Sequence, residues 1–154
     1  MGENIRQVIV MRTDLQMRKG KMIAQGAHAS MKVLLDRSQL SNAHEAPILG
    51  PSGEDDFNRI MREVRNAEPP LLKVTLTPSM QDWILGLFTK ICVRVDSEAD
   101  LMEVYEKARE AQLPCALIQD SGLTEFKEPT YTCCAIGPAA KSALDPITGA
   151  LKLL

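Results

Sequence analysis

The sequence predicts an α/β layer fold built on a small mixed sheet. Three observations carry that expectation. Short apolar runs of strand length recur at residues 7–11, 90–95, 115–118 and 131–137. Between them lie stretches whose apolar residues return at helical spacing. Two of those stretches open with a Ser followed three residues later by an Asp (Ser79 with Asp82, Ser97 with Asp100), the pattern of a capped helix N-terminus. Strands and helices in alternation build a sheet covered by helices.

Residues 7–11 are continuously apolar and short enough for a strand buried on both faces. A helix is expected from about Gly20 to Leu35. At roughly 100° per residue, Ile23, Ala27, Met31 and Leu34 fall on one side, where a core would lie. Lys21, Gln25, His28 and Lys32 form a narrow polar stripe on the opposite side. Residues 42–56 are rich in Pro, Gly and small polar side chains and read as a loop. Ser52 is placed to cap a helix over 54–67, with Phe57, Ile60, Met61 and Val64 as its apolar face and Glu68-Pro69-Pro70 as its end.

Residues 71–77 favour a strand but are weakly patterned. Ser79 opens a helix carrying Trp83, Ile84 and Leu87, and Lys90–Val95 follows as the second strand. Ser97 opens a helix with Leu101, Val104 and Ala108 inward, closing before Pro114. Residues 115–118 and 131–137 supply the third and fourth strands. No internal repeat or low-complexity segment interrupts this order.

At 154 residues the chain is expected to form one domain, 45% hydrophobic and 25% charged. A chain this long buries roughly 70% of the surface it exposes when unfolded. No apolar run is long enough to span a bilayer, and the charged start lacks the apolar stretch of a signal peptide. Gly2 is not followed by Ser or Thr at position 6, where Arg6 stands, so a myristoyl anchor is not expected. A cytoplasmic location is the expectation that follows. Cys92, Cys115, Cys133 and Cys134 form no CxxC pair and lie in apolar surroundings, which predicts buried free thiols. Cys133 and Cys134 should face opposite sides of one strand.

The net charge of −2 is unevenly spread. Residues 1–40 hold seven Lys/Arg against three Asp/Glu, and the remainder eleven against seventeen. A basic site on an acidic protein still engages phosphate, because the local field governs the encounter. Two constellations stand out. Lys19, Gly20 and Lys21 sit at the mouth of the first helix, where free backbone N–H groups and the helix dipole favour an anion. Gly20 lets a ligand approach the backbone. Cations there repel the dipole unless something negative is held, although a solvated helix face explains the polar stripe equally simply. In the second constellation Asp120 ends a buried strand, Gly122 marks a turn, and Thr124 and Thr132 supply hydroxyls. A carboxylate past a strand end serves acid–base chemistry or merely forms a turn. There is no Gly-x-Ser-x-Gly elbow, phosphate-binding loop, dinucleotide fingerprint or metal-ligand spacing.

Taken together, "RTDL" (12–15), "KGKMIAQGAHA" (19–29), "LIQDSGLTE" (117–125), "TYTCCAIGP" (130–138) and "TGALKLL" (148–154) resemble the type II peptidyl-tRNA hydrolases typical of archaea and eukaryotes. The resemblance spans most of the chain outside about 35–89. It implies a three-layer α/β/α sandwich on a four-stranded mixed sheet, often dimeric, without metal or cofactor. The implied reaction is hydrolysis of the ester joining a peptide to the 3′ end of tRNA. The family's catalytic lysine is assigned to Lys19, its aspartate to Asp120 and its two threonines to Thr124 and Thr132. The substrate's terminal adenosine and phosphates are expected along Gly20, Lys21, Gln25, His28 and Lys32. Ser121 and Ile23 replace common alanines. The connection 36–77 is longer than in short family members and reads as an insertion within a single domain. The alternatives are a tRNA-binding or protein-interaction module that has lost the chemistry, and an esterase for another acyl-tRNA.

Overall fold

The computed structural model describes residues 4–41, 58, 59, 61, 62, 65 and 68–154. The chain divides into two compact units, Met1–Arg37 with Leu76–Leu154, and Ser38–Thr75. The larger unit carries a four-stranded sheet of β1 (Ile5–Arg12), β4 (Lys90–Val95), β5 (Cys115–Asp120) and β6 (Thr130–Ala140), in the spatial order β4-β1-β6-β5. β1 runs parallel to β4 and antiparallel to β6, and β5 runs antiparallel to β6, so the sheet is mixed. The four apolar runs of the sequence are these four strands.

The continuous apolar character of β1 has a direct cause: both of its faces are covered. Val8 and Val10 join Cys134, Ile136, Leu101, Val104 and Leu144 on one side of the sheet. Ile9 and Met11 join Cys133, Ala135, Ala29, Val33 and Met80 on the other. Two separate cores make three layers. One outer layer holds α1 (Lys19–Leu35) and α2 (Pro78–Leu85), the other α3 (Glu98–Glu110) and α4 (Lys141–Thr148). Cys133 and Cys134 point into opposite cores, as their alternation requires. All four cysteines are free, but Cys92 is exposed and Cys115 half-buried, so burial holds only for the adjacent pair.

α1 packs differently from its apolar pattern. Its buried residues are Gln25, Gly26, Ala29 and Val33. Ile23 is 73% exposed and Met31 54% exposed, and Ala27 is exposed too. Of the expected apolar stripe only Leu34 packs against the core. The helix has turned roughly a third of a revolution from the expected orientation. Small residues explain the choice: a Cβ on Gly26 would stand only 3.7 Å from Ile9 and Met11, so this face lies close against β1.

Thr77, not Ser79, caps α2, accepting from the Met80 N–H at 3.2 Å with Pro78 in the first turn. Trp83 is buried and donates its indole N–H to the Thr89 carbonyl, while Ile84 and Leu87 are exposed. Ser97 caps α3 through the Asp100 N–H at 3.0 Å, and Leu101, Val104 and Ala108 face the core as expected. α4 has no counterpart among the expected elements, and it accommodates Pro146 within its eight residues.

In the smaller unit β2 (Ser38–Ser41) pairs antiparallel with β3 (Leu71–Val74). Residues Asn58, Arg59, Met61, Arg62 and Arg65 are helical. The expected cap Ser52 and the positions Phe57, Ile60 and Val64 lie outside the described residues. No described helix is long and apolar enough to cross a membrane.

Candidate active site

Three segments of the larger unit meet over the ends of β5 and β6. α1 begins at Lys19 after Arg18, which supplies no side-chain cap, so the first-turn N–H groups are left to external partners. β5 ends at Asp120, and a turn at Gly122 (φ 82°) leads back towards β6. Asp120 Oδ1 accepts from the Gly122 N–H at 3.0 Å. Its Oδ2 accepts from Lys21 Nζ in a direct ion pair and from Gln25 Nε2 at 3.2 Å. Lys21 Nζ also donates to Thr124 Oγ1 at 2.8 Å and lies 5.6 Å from the Phe126 ring centre. Thr132 Oγ1 donates to Gln25 Oε1 at 2.6 Å, and the Cys133 thiol donates to the backbone carbonyl of Gln25 at 3.3 Å.

The Lys21 and Asp120 side chains keep only 13% and 10% of their surface exposed. The Lys21 ammonium, with the Gly122 and Gln25 donors, holds the Asp120 carboxyl below its ordinary value against the opposing effect of burial. Burial pushes the Cys133 thiol up to about 12, so the sulfur beneath Gln25 stays a neutral donor.

The amine beside Asp120 therefore belongs to Lys21 and not to Lys19. Lys19 lies at the rim of a separate hollow of about 610 Å³ lined by Ile9, Met11, Ile23, Met31 and Phe88. One helix position separates each residue by about 100°, so two lysines two apart address nearly opposite sides of α1. Asp120, Thr124 and Thr132 do converge, but Thr132 is fully buried while Thr124 is exposed. Gln25, expected to face the substrate, is turned inward at 3% exposure. His28 is exposed with no hydrogen-bond or ion-pair partner among the described residues. Lys32 pairs with Asp36 at 2.7 Å one turn on, and Gly20 is exposed with open space around it.

Two contacts beside the cluster were not singled out in the sequence. Arg18 Nε pairs with Glu125 Oε1 at 2.7 Å, tying the mouth of α1 to the loop after Gly122 and holding the Glu125 carboxyl low. Buried Arg12 grips Asp14 through two nitrogens, Glu98 at 3.0 Å and the Tyr131 carbonyl at 2.9 Å. That grip fixes the backbone next to Thr132. Arg12 and Asp14 lie in the "RTDL" block and Glu125 closes "LIQDSGLTE", but Arg18 and Glu98 fall outside every matching block, so nothing in the sequence joined them. Among the described residues no three His, Cys, Asp or Glu gather where they could hold a metal ion.

A carboxylate, an ammonium and a hydroxyl held together above a mixed sheet define an α/β protein with a polar site equipped to bind and stabilise charge. A sequence model of the family described as Peptidyl-tRNA hydrolase PTH2 matches residues 5–154. A protein of Methanocaldococcus jannaschii named peptidyl-tRNA hydrolase is 34% identical, over 97% of this chain and 100% of its own length. Proteins of the same name are 34% identical in Aeropyrum pernix, over 99% and 98%, and 38% identical in Sulfurisphaera tokodaii, over 97% and 98%. The chain belongs to the peptidyl-tRNA hydrolase PTH2 family.

Proposed function

We propose that this chain releases peptide from peptidyl-tRNA by hydrolysing the ester at the tRNA 3′ end. The observation that carries the reading is the Lys21–Asp120–Thr124 cluster at the mouth of α1, in a chain that matches the family from β1 to its last residue. Water attacks the ester carbonyl, the bond from that carbon to the ribose oxygen breaks, and the proton lost by water ends on the departing oxygen. The products are a peptide carboxylic acid, which ionises by giving its remaining proton to solvent, and a free tRNA 3′-hydroxyl. Asp120 has one lone pair free on Oδ1, suited to orienting the water. Lys21 offsets the charge that develops on the ester oxygen, together with the positive end of α1. Thr124 accepts from Lys21, which leaves its own proton to donate to substrate.

His28 and Lys32 are exposed on the Lys21 side of α1 and offer the tRNA contacts beside the cluster, while exposed Lys19 and Gly20 at the helix mouth offer a separate approach for a phosphate. Exposed Ile23 and Met31 beside the apolar hollow support a homodimer, and the absence of a membrane-crossing helix among the described residues fits a cytoplasmic enzyme. Sedimentation of wild type against Met31→Glu tests the dimer; a monomer mass for wild type refutes it, and a dimer mass for Met31→Glu refutes this face as its seam.

The deciding experiment compares release from an N-acetylated aminoacyl-tRNA with release from the free aminoacyl-tRNA. Release from the N-acetylated substrate alone supports the reading. Binding without release marks a tRNA-binding module, and equal release from both marks an esterase of another acyl-tRNA. Affinity should fall steeply with salt through counterion release.

A further inference from the structure

We propose that Gln25 and Thr132 are positioning residues, a buried two-residue brace that acts on the reaction only through the carboxylate of Asp120. The inference rests on the proposed hydrolysis and adds to it a division of labour inside the cluster.

The brace follows from hydrogen-bond polarity. Asp120 receives Lys21, the Gly122 N–H and Gln25, so it is an ionised, acceptor-only group. Gln25 must then turn its NH₂ end towards Asp120, which leaves its carbonyl oxygen facing Thr132. A carbonyl accepts and does not donate, so the hydroxyl proton of Thr132 is committed to Gln25 at 2.6 Å. Thr132 is 0% exposed and Gln25 3% exposed. Neither side chain reaches a substrate on the surface, whereas Lys21, Thr124 and Asp120 do retain exposed area.

The order of proton commitments thus runs from the sheet outward, from Thr132 through Gln25 to Asp120 Oδ2. With Oδ2 saturated by Gln25 and Lys21, only Oδ1 remains to meet water. The brace therefore selects which carboxylate oxygen reacts and fixes its direction. Position 25 is thereby assigned to support of the carboxylate, away from the nucleotide contacts expected along α1. The titratable groups facing this unit are Lys21 from α1, the Arg18–Glu125 pair across the site mouth and the neutral Cys133 thiol from β6.

The test measures hydrolysis of an N-acetylated aminoacyl-tRNA by full-length wild type, Gln25→Met, Thr132→Val and Thr132→Ser across the acidic and neutral range. Circular dichroism and thermal melts run alongside. Gln25→Met keeps the side chain's volume and removes both polar ends. Thr132→Val removes only the hydroxyl, and Thr132→Ser restores it. The brace predicts that kcat falls roughly ten- to hundredfold in Gln25→Met and Thr132→Val, with KM within about twofold and activity recovered in Thr132→Ser. It also predicts that the acidic limb of the kcat/KM profile moves to higher pH in Gln25→Met, because Asp120 has lost one donor to its charged form.

The NMR titration of the Asp120 carboxyl carbon, in wild type and Gln25→Met without substrate, reads the same relation independently of turnover. A raised KM at unchanged kcat would mean that these residues touch substrate, and an unmoved Asp120 titration would mean that they are passive core; either result overturns the brace. Wild type that releases no peptide refutes the hydrolase reading and with it the catalytic role of the brace. An active wild type with unaffected variants refutes the brace alone.

Discussion

Lys21 and Asp120 stand ninety-nine positions apart in the chain and share an ion pair that is almost wholly shielded from solvent. Such a pair costs solvation to form, and its remaining hydrogen bonds are supplied by Thr124, Gln25 and the Gly122 backbone. The arrangement keeps a cation and an anion fixed before substrate arrives.

Removal of the Lys21 amine should cost far more than removal of the Lys19 amine. Lys21→Ala and Asp120→Asn are expected to lower kcat by about 10²–10³. Lys19→Ala is expected to act on KM, more strongly as salt falls, since its amine stands apart from Asp120. Steady-state rates at two salt concentrations check this; a larger kcat loss at position 19 than at 21 would reverse the assignment.

Acid should weaken the protein through Asp120 and Asp14. Both carboxyls are held below their ordinary 3.8, by Lys21 and Arg12 respectively. The folded state then binds fewer protons than the unfolded chain in that region. The stabilisation is complete above 3.8 and disappears as pH falls through the folded values. Below about pH 4, the thermal midpoint of wild type should drop more steeply than that of Asp120→Asn. Parallel slopes would contradict the linkage.

Gly122→Ala should damage both stability and turnover. Its φ of 82° is one that side chains disfavour, and a Cβ would stand 2.7 Å from the Glu128 carbonyl carbon. A cost of about 1–2 kcal/mol is expected from the backbone conformation alone, with the clash added to it. Because the same N–H holds Asp120 Oδ1, kcat should fall along with the denaturation midpoint.

Thiol reactivity should follow burial. Cys92 is exposed, whereas burial raises the Cys133 thiol to about 12 and raises Cys134 further. Alkylation of the native protein near about pH 8 should mark Cys92 first, with Cys133 and Cys134 protected until denaturant is added. Mass spectrometry of the peptides reads the order, and early labelling of Cys133 would contradict the packing.

The strands were legible because residues buried on both sheet faces must be apolar throughout, a local demand that β1 and β6 write into consecutive residues. The Ser97 cap was legible for the same reason, since its partner is three residues away. The core face of α1 was not. Gly26 and Ala29 carry little hydrophobic signal, yet they pack because the sheet lies close, while larger Ile23 and Met31 remain outside. The pairing of β2 with β3 was also illegible, since Ser41 is paired with Leu71, 30 positions on, beyond any local pattern.

The sequence by itself determined the positions of the four strands of the larger sheet, the family and the presence of Asp120, Thr124 and Thr132 in one motif-bearing stretch. Tertiary structure alone decided which lysine meets Asp120, and that Gln25 and Thr132 lie beneath the carboxylate. The reason is physical: helical spacing specifies angles between neighbours on α1, but not which side of the helix the sheet will take. That choice is made by close packing against residues far away in the chain.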